Sequence, residues 1–270
     1  MMRNLFAMQK AVPWRSTVLL AVLGLGPVFS AKPATVTFDF DSAAPTVTTG
    51  QSVPFDQTSG GITAHFSSPQ GSVFSIQTGV STGWTLSQFS GKFLNDNNLN
   101  RNALDIQFSQ PLSSITLTFA TADFNQTELA TTIQLTAYTN TTATPAVGTA
   151  SIRGTYASDT MPMGTLSFTS NVPFNLIELV LPPQSLGVTD FLVDNIIVTP
   201  IPKLAISLTK TNAAVISWPS PSTGYRLRQN TDLGTTSWMD VAAGVDVING
   251  SNLVTVPLSG AQCFYRLTNP

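Results

Sequence analysis

The strongest candidate for chemistry in this sequence is Asp194, which lies in the apolar stretch 190–199. Side chains two residues apart in a strand share a face, so Phe191 and Val193 lie together on one face. Ile196, which follows Asp194, falls on the opposite face. The alternation therefore slips by one residue near Asp194, and this slip predicts a β-bulge in the last strand of a large β-domain.

A carboxylate in such an apolar strand is expected to be partly buried, and burying it unpaired costs several kcal/mol. Asp194 therefore needs a partner, which could be an arginine, backbone N–H groups or a bound cation. The sequence leaves these three alternatives open. Among cations, Ca²⁺ fits better than Zn²⁺, because oxygen ligands are the ones that Ca²⁺ prefers.

Three residues are predicted to bind a ligand, namely Trp84, Asn98 and Asn100. The amides of the two asparagines can exchange hydrogen bonds with sugar hydroxyls. The apolar face of the tryptophan ring can cover the C–H side of a sugar ring. Ordinary turn chemistry for the asparagines and burial in the core for the tryptophan are the alternatives.

The segment Asp96–Asn100 also places oxygen-bearing side chains at alternate positions, like the start of an EF-hand loop. The match fails further on, because Arg101 stands where that loop needs glycine and Gln107 stands where it needs glutamate. An EF-hand is therefore not predicted, and the segment is expected to form a polar loop.

No group of residues in the sequence predicts catalysis. Residues 79–83 match the G-x-S-x-G pattern, but that motif needs a following helix and a later histidine, and the one histidine, His65, precedes Ser81. The only two glutamates, Glu128 and Glu178, lie in separate segments that nothing in the sequence pairs for glycoside hydrolysis. The protein is therefore predicted not to be an enzyme.

Residues 1–30 are predicted to be a signal peptide. Three basic residues precede the apolar run 18–26, and Val28 and Ser30 are tolerated before a cleavage site at Ser30/Ala31. The run is too short to span a bilayer comfortably, although an uncleaved anchor is the alternative. The mature chain is thus predicted to have no membrane span and to be secreted or held at the cell surface, with the periplasm as an alternative.

Charge and cysteine content narrow the choice of partners. The leader holds three of the 12 basic residues and none of the 14 acidic ones, so the mature chain has nine against fourteen, a net charge of −5. This balance disfavours a nucleic-acid partner, which needs a basic face, and is compatible with cation binding. The single cysteine, Cys263, excludes an intramolecular disulfide, and this suggests a bacterial origin or a core large enough to do without one.

The mature chain is predicted to form two all-β modules, residues 31–200 and residues 203–270. The first shows about ten alternating apolar and polar runs, with a break expected at Gln110–Pro111. The prolines at 200 and 202 mark the boundary, because proline cannot continue a sheet ladder. The second module has several shorter runs of the same kind.

Both modules resemble known families. The opening stretch Thr37–Asp41 and the closing stretch Phe191–Ile196 are similar to the ends of jelly-roll domains of the galactose-binding-like carbohydrate-binding and MAM-type adhesion classes. In such modules the first and last strands lie side by side and hold a structural Ca²⁺. The resemblance implies that Asp194, with Asp39 and Asp41 on one face of the first strand, supplies the metal ligands.

The second module resembles a fibronectin type III repeat in its segments 215–218, 224–227 and 264–267. The chain ends where such a repeat would add another strand. We therefore expect a sandwich that is either abbreviated or completed by the first module. Trp218 and Trp238 are expected to pack in its core or between its strands.

Together these observations predict a secreted, non-catalytic protein that binds an extracellular polysaccharide or other glycan and carries a structural Ca²⁺ site. The alternative is a cell-surface adhesive or structural protein that binds a protein partner. An exposed aromatic residue in a polar groove would favour the first, and an exposed apolar patch or a free sheet edge would favour the second. The sequence does not determine the oligomeric state.

Overall fold

The computed structural model describes residues 35–41, 52–78, 83–97, 100–123, 132–156, 159–183, 188–220, 222, 224–258 and 262–268. The predicted signal peptide lies outside these residues, as do Asn98, Ser81 and Glu128. The protein is all-β, as predicted. In the described part of the chain, no helix is long and apolar enough to cross a membrane.

Residues up to 200 form ten strands that share one hydrogen-bonded network. The strands are β1 (Val36–Phe38), β2 (Phe55–Ser59), β3 (Ile62–Ser67), β4 (Phe74–Thr78), β5 (Lys92–Asp96), β6 (Leu104–Thr121), β7 (Thr132–Tyr138), β8 (Gly148–Arg153), β9 (Met163–Val180) and β10 (Phe191–Pro200).

The network is organised by β6 and β9, which are 18 residues long and pair with each other along most of their length. The first part of β6 pairs with β3, and the second part pairs with β10. The second part of β9 pairs with β7. Because both long strands change neighbours part-way along, each of them contributes to both layers of a β-sandwich.

One hydrophobic core lies between the two layers. It takes Ile106 and Phe108 from the first part of β6 and Leu117 and Phe119 from the second part, and all four are almost completely buried. Since residues from both parts of one strand meet in one cluster, the two layers face each other. The polar residues that alternate with them in β6 are left on the outer faces.

The predicted break at Gln110–Pro111 is wrong, because β6 continues through both residues. The β6–β9 register is irregular between Gln107 and Leu112. Proline has no N–H to donate to a ladder, so it is tolerated at such an interruption. The break in the sequence pattern therefore marks the point where β6 passes from one layer to the other.

The predicted bulge near Asp194 is confirmed. In the β10–β6 pairing, Asp194 lies opposite Thr118 and Ile197 lies opposite Thr116, so β10 has one extra residue there. Asn195 adopts a positive φ of 49°, a conformation that asparagine tolerates better than most residues. The bulge keeps apolar residues of β10 facing the core on both sides of Asp194.

The prediction that Asp39 and Asp41 share one face of the opening strand is wrong. β1 ends at Phe38, and Phe40 has a φ of 58°, which lies outside the region of regular strands. The Phe40 ring is fully buried and packs 5.4 Å from the ring of Phe66, centroid to centroid. Burial of this aromatic side chain offsets the cost of the unusual backbone conformation, and the chain turns sharply on either side of it.

The remaining described residues form seven strands in two further sheets. The strands are β11 (Ala205–Leu208), β12 (Ala213–Pro219), β13 (Arg226–Asn230), β14 (Met239–Asp240), β15 (Asp246–Ile248), β16 (Ser251–Pro257) and β17 (Phe264–Thr268). One sheet has the order β11-β12-β16-β15 and the other the order β14-β13-β17.

A small core between these two sheets is built around Ile216, Trp218 and Val254. Trp218 is therefore a packing residue, as expected. Trp238 lies under the guanidinium of Arg266, which is 4.1 Å from the ring centroid. The predicted module boundaries and the likeness to a fibronectin repeat stay predictions.

Candidate functional site

The first candidate site, which we call the carboxylate site, comprises Asp39, Asp41 and Asp194 around the segment Ser90–Lys92. β1 lies antiparallel beside β10, with Phe38 opposite Ile196. The residues that follow β1 therefore lie next to the bulge of β10. The first and last strands of the ten are neighbours, as the sequence resemblance implied.

Asp194 is completely buried, and its carboxylate is held by three hydrogen bonds. Ser90 donates its backbone N–H to Oδ2 over 3.0 Å, and Asn195 donates its backbone N–H to Oδ1 over 2.7 Å. The Asn195 side-chain amide also donates to Oδ2, over 2.9 Å. Of the alternatives that the sequence leaves open, backbone N–H groups are thus observed as partners.

The carboxylate site is electrostatically unfavourable for a third negative charge. The pKa of Asp194 is raised to about 7: burial raises it most, the hydrogen bonds from Ser90 and Asn195 lower it, and the nearby carboxylates of Asp41 and Asp39 also raise it. A proton on Asp194 or a bound cation would relieve this unfavourable energy.

Gly91 gives Asp41 its place in the site. The Asp41 carboxylate accepts a hydrogen bond from the backbone N–H of Lys92. Gly91 has a φ of 60°, and a Cβ atom there would lie 2.1 Å from Oδ1 of Asp41. Only glycine allows the backbone to approach this carboxylate so closely.

The fit of the carboxylate site to a metal ion is partial. Its donor atoms are oxygens, as Ca²⁺ requires. Three of the roughly four lone-pair positions of Asp194 already accept hydrogen bonds, and Oδ1 of Asp39 and Oδ1 of Asp41 each accept a backbone N–H. Within the described ranges, no group of three or more histidine, cysteine or acidic side chains is arranged to hold a metal ion. An ion would therefore need backbone oxygens or water as further ligands.

Trp84 begins the segment that covers Asp194. It is half-buried and packs, with Phe89, against a cluster that includes Phe93 and Leu192. Asp159 fixes this segment by accepting hydrogen bonds from the N–H and the hydroxyl of Ser87. Trp84 thus has a packing role, and its predicted stacking on a sugar stays a prediction.

Asn100 is exposed in the connection between β5 and β6. Its backbone carbonyl accepts a hydrogen bond from the side chain of Asn102 over 3.0 Å. Asn98 lies outside the described residues, so the predicted pairing of the two asparagines around a ligand stays a prediction. The described part of this connection is a polar loop, as expected.

A second candidate site, which sequence reasoning missed, lies on the outer face of the layer β3-β6-β9-β7. Asp105 on β6 is opposite Glu178 on β9, which is in turn opposite Thr136 on β7. In the adjacent row, Leu176 lies between Gln107 and Tyr138. We call these six residues the outer polar face.

The same rows continue across β3 and β2. His65 lies opposite Gln107, and its Nδ1 atom is 2.6 Å from Oδ1 of the exposed Asp56. His65 is an exposed strand residue, as predicted from its alternation with apolar neighbours. Neighbouring strands are about 4.8 Å apart, so a row of five residues extends across roughly 19 Å of surface.

The charges on the outer polar face affect one another. The pKa of Asp105 is raised to about 6, first by burial and then by the charge of Glu178. Burial also raises the pKa of Tyr138, as does Glu178, whereas a hydrogen bond with Thr136 lowers it. Two carboxylates directly opposite each other in a sheet are unfavourable, so a hydrogen-bond donor placed between them would stabilise this face.

The alternation in residues 104–108 was enough to place Asp105 outward. The cross-strand partner was not visible, because the sequence does not give the register of two strands more than fifty residues apart. Glu178 was instead considered with Glu128, which lies outside the described residues.

Comparisons with known proteins give only distant likenesses. No family model matches the chain, and no curated protein matches it in sequence. Among solved structures, the K2 cleaved adhesin domain of Lys-gingipain aligns with a TM-score of 0.41 and 13% identity, covering 62% of this chain and 99% of that domain. The K1 domain of Lys-gingipain from Porphyromonas gingivalis aligns with a TM-score of 0.37 and 11% identity, covering 62% and 99%.

A third similar structure is the family 11 carbohydrate-binding module from Clostridium thermocellum in complex with a β-1,3-1,4-mixed-linked tetrasaccharide. It aligns with a TM-score of 0.29 and 10% identity, covering 63% of this chain and 98% of the module. Values this low transfer no function to this chain, so function has to be inferred from its own residues.

A pair of glycine substitutions tests the packing at the carboxylate site. Gly91→Ala should lower the free energy of unfolding by about 2–3 kcal/mol, because it adds a positive-φ penalty and displaces the Asp41 carboxylate. Gly83→Ala is the matched control, since Gly83 also has a positive φ but has open space around its Cβ position. Gly83→Ala should lower the free energy of unfolding by about 1 kcal/mol. Urea unfolding measures both, and equal losses would contradict the close contact with Asp41.

The pH dependence of stability tests the outer polar face. The pKa of Asp105 is higher in the folded state than its ordinary value of 3.8, so its stabilising contribution is complete below pH 3.8 and is lost as the pH rises through 6. Above pH 6, Asp105→Asn should therefore have a higher free energy of unfolding than wild type. The expected difference is only about 1 kcal/mol, because water screens the half-buried group. Glu178→Gln should move the transition to lower pH. If the free energy of unfolding changes with pH in the same way in wild type and in Asp105→Asn, this account is contradicted.

Proposed function

We propose that the protein is exported and binds an extracellular glycan without catalysis, and that the glycan binds on the outer polar face. The observation that carries this proposal is the row pairing on that face. It places Asp105, Glu178 and Gln107 beside the ring of Tyr138 on one surface. The predicted leader supports export.

This set of groups matches the chemistry of a sugar. Carboxylates accept hydrogen bonds from sugar hydroxyls, and hydrogen bonds to charged groups are the stronger ones. The Gln107 amide both donates and accepts. The Tyr138 ring is partly exposed and supplies an apolar surface for the C–H face of a sugar ring. Hydroxyl donors bound between Asp105 and Glu178 would also relieve their mutual repulsion.

The charges on this surface favour a neutral glycan. Asp56, Asp105 and Glu178 all lie on it, and His65 is paired with Asp56. An anionic polysaccharide would bring further negative charge next to these carboxylates and would be repelled. A neutral polysaccharide brings hydroxyl donors without that penalty.

A panel of neutral polysaccharides, measured by affinity electrophoresis and calorimetry, tests the proposal. Wild type should bind at least one glycan class, and Tyr138→Ala and Glu178→Gln should each weaken that binding about tenfold or more, which is about 1.4 kcal/mol. Trp84→Ala is the comparison, because it removes the aromatic residue that the sequence favours. Loss of binding in Trp84→Ala but not in Tyr138→Ala would move the site away from the outer polar face. Release of reducing sugar by wild type would contradict the absence of catalysis.

A second candidate function, adhesion to a protein partner, is favoured by β11. This strand is at the edge of its sheet, and Ile206 and Leu208 on it are 58% and 74% exposed. Unpaired backbone groups next to exposed apolar side chains are typical of a surface to which another strand can bind. If wild type binds no glycan, adhesion to a protein partner becomes the favoured function.

We also propose that the carboxylate site binds Ca²⁺, held by Asp39 and Asp41 with Asp194. Two observations support this proposal. The available ligand atoms are all oxygens, and three carboxylates lie unfavourably close to one another. A cation that binds only the folded state stabilises it by about 2.7 kcal/mol at a hundredfold excess over its Kd.

Removal of the metal tests this site. At pH 8, EDTA should lower the Tm of wild type and excess Ca²⁺ should restore it, because the ion neutralises the carboxylates. Asp41→Asn should remove most of the difference between the Tm in EDTA and the Tm in excess Ca²⁺. Asp246→Asn removes an exposed carboxylate on β15, which belongs to a different sheet, and should keep the response. A Tm in wild type that is the same with EDTA and with Ca²⁺ would show that the site binds no calcium.

A further inference from the structure

The sheet β14-β13-β17 has an outer face that carries three arginines and is separate from both candidate sites. On β13, Leu227 is buried in the small core, so Arg226 and Arg228 on either side of it point outward. On β17, both neighbours of Arg266 pack against the same core, so Arg266 points outward as well. We call these three residues the arginine face.

The arginine face is positively charged in an otherwise acidic chain. Arg228 lies opposite Arg266 on one neighbouring strand and opposite Asp240 on the other. Asp240 is the only acidic residue of the three strands, so three positive charges and one negative charge leave +2. Asp232 lies beyond the end of β13, where its Oδ1 accepts the N–H of Gly234. Like charges directly opposite each other in a sheet are unfavourable, so a further anion would stabilise this face.

Asp240 shows how this face holds a carboxylate. Its Oδ1 is 3.1 Å from Nε of Arg228, and its Oδ2 is 3.5 Å from Nη1 of Arg226. One carboxylate is thus shared between two guanidinium groups. The Nε contact lacks the alignment of a hydrogen bond, and the Arg226 side chain is 64% exposed. A guanidinium has five N–H donors, so these contacts leave donors for a second anion.

Arg266 is held in position without using its N–H groups. Its guanidinium carbon is 4.1 Å from the centroid of the Trp238 ring, a cation–π contact. Trp238 is held in turn by Arg228, whose Nη2 donates to its backbone carbonyl. Within the described residues, Arg266 donates no hydrogen bond to the protein, and it is exposed. Its charge is therefore preorganised and its donors are accessible to a ligand.

We propose that the arginine face binds the carboxylate groups of an acidic polysaccharide. This ligand differs from the neutral glycan of the outer polar face, and the two proposals do not depend on each other. Positions 226 and 228 are about 7 Å apart along β13, and β17 is about 4.8 Å away, so carboxylates repeated along an extended chain can reach all three arginines. The exposed outward side chains, Arg226, Asp240 and Arg266, are all charged, whereas a protein interface usually has an apolar centre.

Calorimetric titration of the full chain with polygalacturonate tests the proposal, with its fully methyl-esterified form as the matched ligand without charge. Wild type should bind the acid form only, and more weakly as NaCl is raised, because salt screens exposed charges. Arg266→Gln and Arg226→Gln should each weaken this binding about tenfold, since each removes charge-assisted hydrogen bonds. Lys210→Gln makes the same change of net charge in the exposed β11–β12 turn and should bind like wild type.

Arg266→Lys separates the arginine geometry from charge alone. It keeps the charge but loses the planar set of donors, so it should bind more weakly than wild type. Wild-type affinity in this variant, equal weakening by Lys210→Gln, or equal binding of the esterified polymer would overturn the proposal. Absence of binding to polygalacturonate would overturn it as well. So would tighter binding to dextran sulfate or to vesicles of anionic lipid, because the face would then recognise a different anion.

Discussion

The pairing between β6 and β9 is the interaction on which the rest of the structure depends. These two strands run through both layers of the sandwich, so one register fixes the position of nearly every other strand of the ten. The first part of the β6–β9 pairing places Asp105 opposite Glu178. The second part of β6 pairs with β10, which has its bulge at Asp194. The β6–β9 pairing therefore positions both candidate sites, which lie on the outer faces of opposite layers.

The carboxylate site shows how a buried charge can organise a surface segment. Asp194 is completely buried because the segment that includes Ser90 covers it, and that segment is in turn attached by the Ser90 N–H. Removing the carboxylate would take away one attachment of the segment, beside those of Ser87 to Asp159 and of Lys92 to Asp41, and removing the segment would expose the carboxylate. This arrangement explains how Asp194 is satisfied in an apolar strand: one backbone N–H comes from Ser90 in its cover and another from Asn195 in the bulge.

The sequence predicted those features that depend on local pattern. The slip of alternation at Asp194 is visible within six residues, and the structure has the bulge. The early end of β1 was missed because Phe40 alternates correctly with its neighbours, and only the packing of its ring against Phe55 and Phe66 shows why the backbone turns there. The outer polar face was missed for a different reason. It is assembled from three strands whose register is set by the shared core, and no local pattern in any one strand contains that information.

The central claim is that the outer polar face binds the glycan, and NMR chemical shifts of the labelled protein test it most directly. As a bound neutral polysaccharide is titrated in, the side-chain amide of Gln107 and the backbone amides of Tyr138 and Glu178 should shift together with one Kd. The indole N–H of Trp84 should stay in place. Shifts confined to Trp84 and to the β5–β6 connection, with the signals of the outer polar face unchanged, would contradict the account.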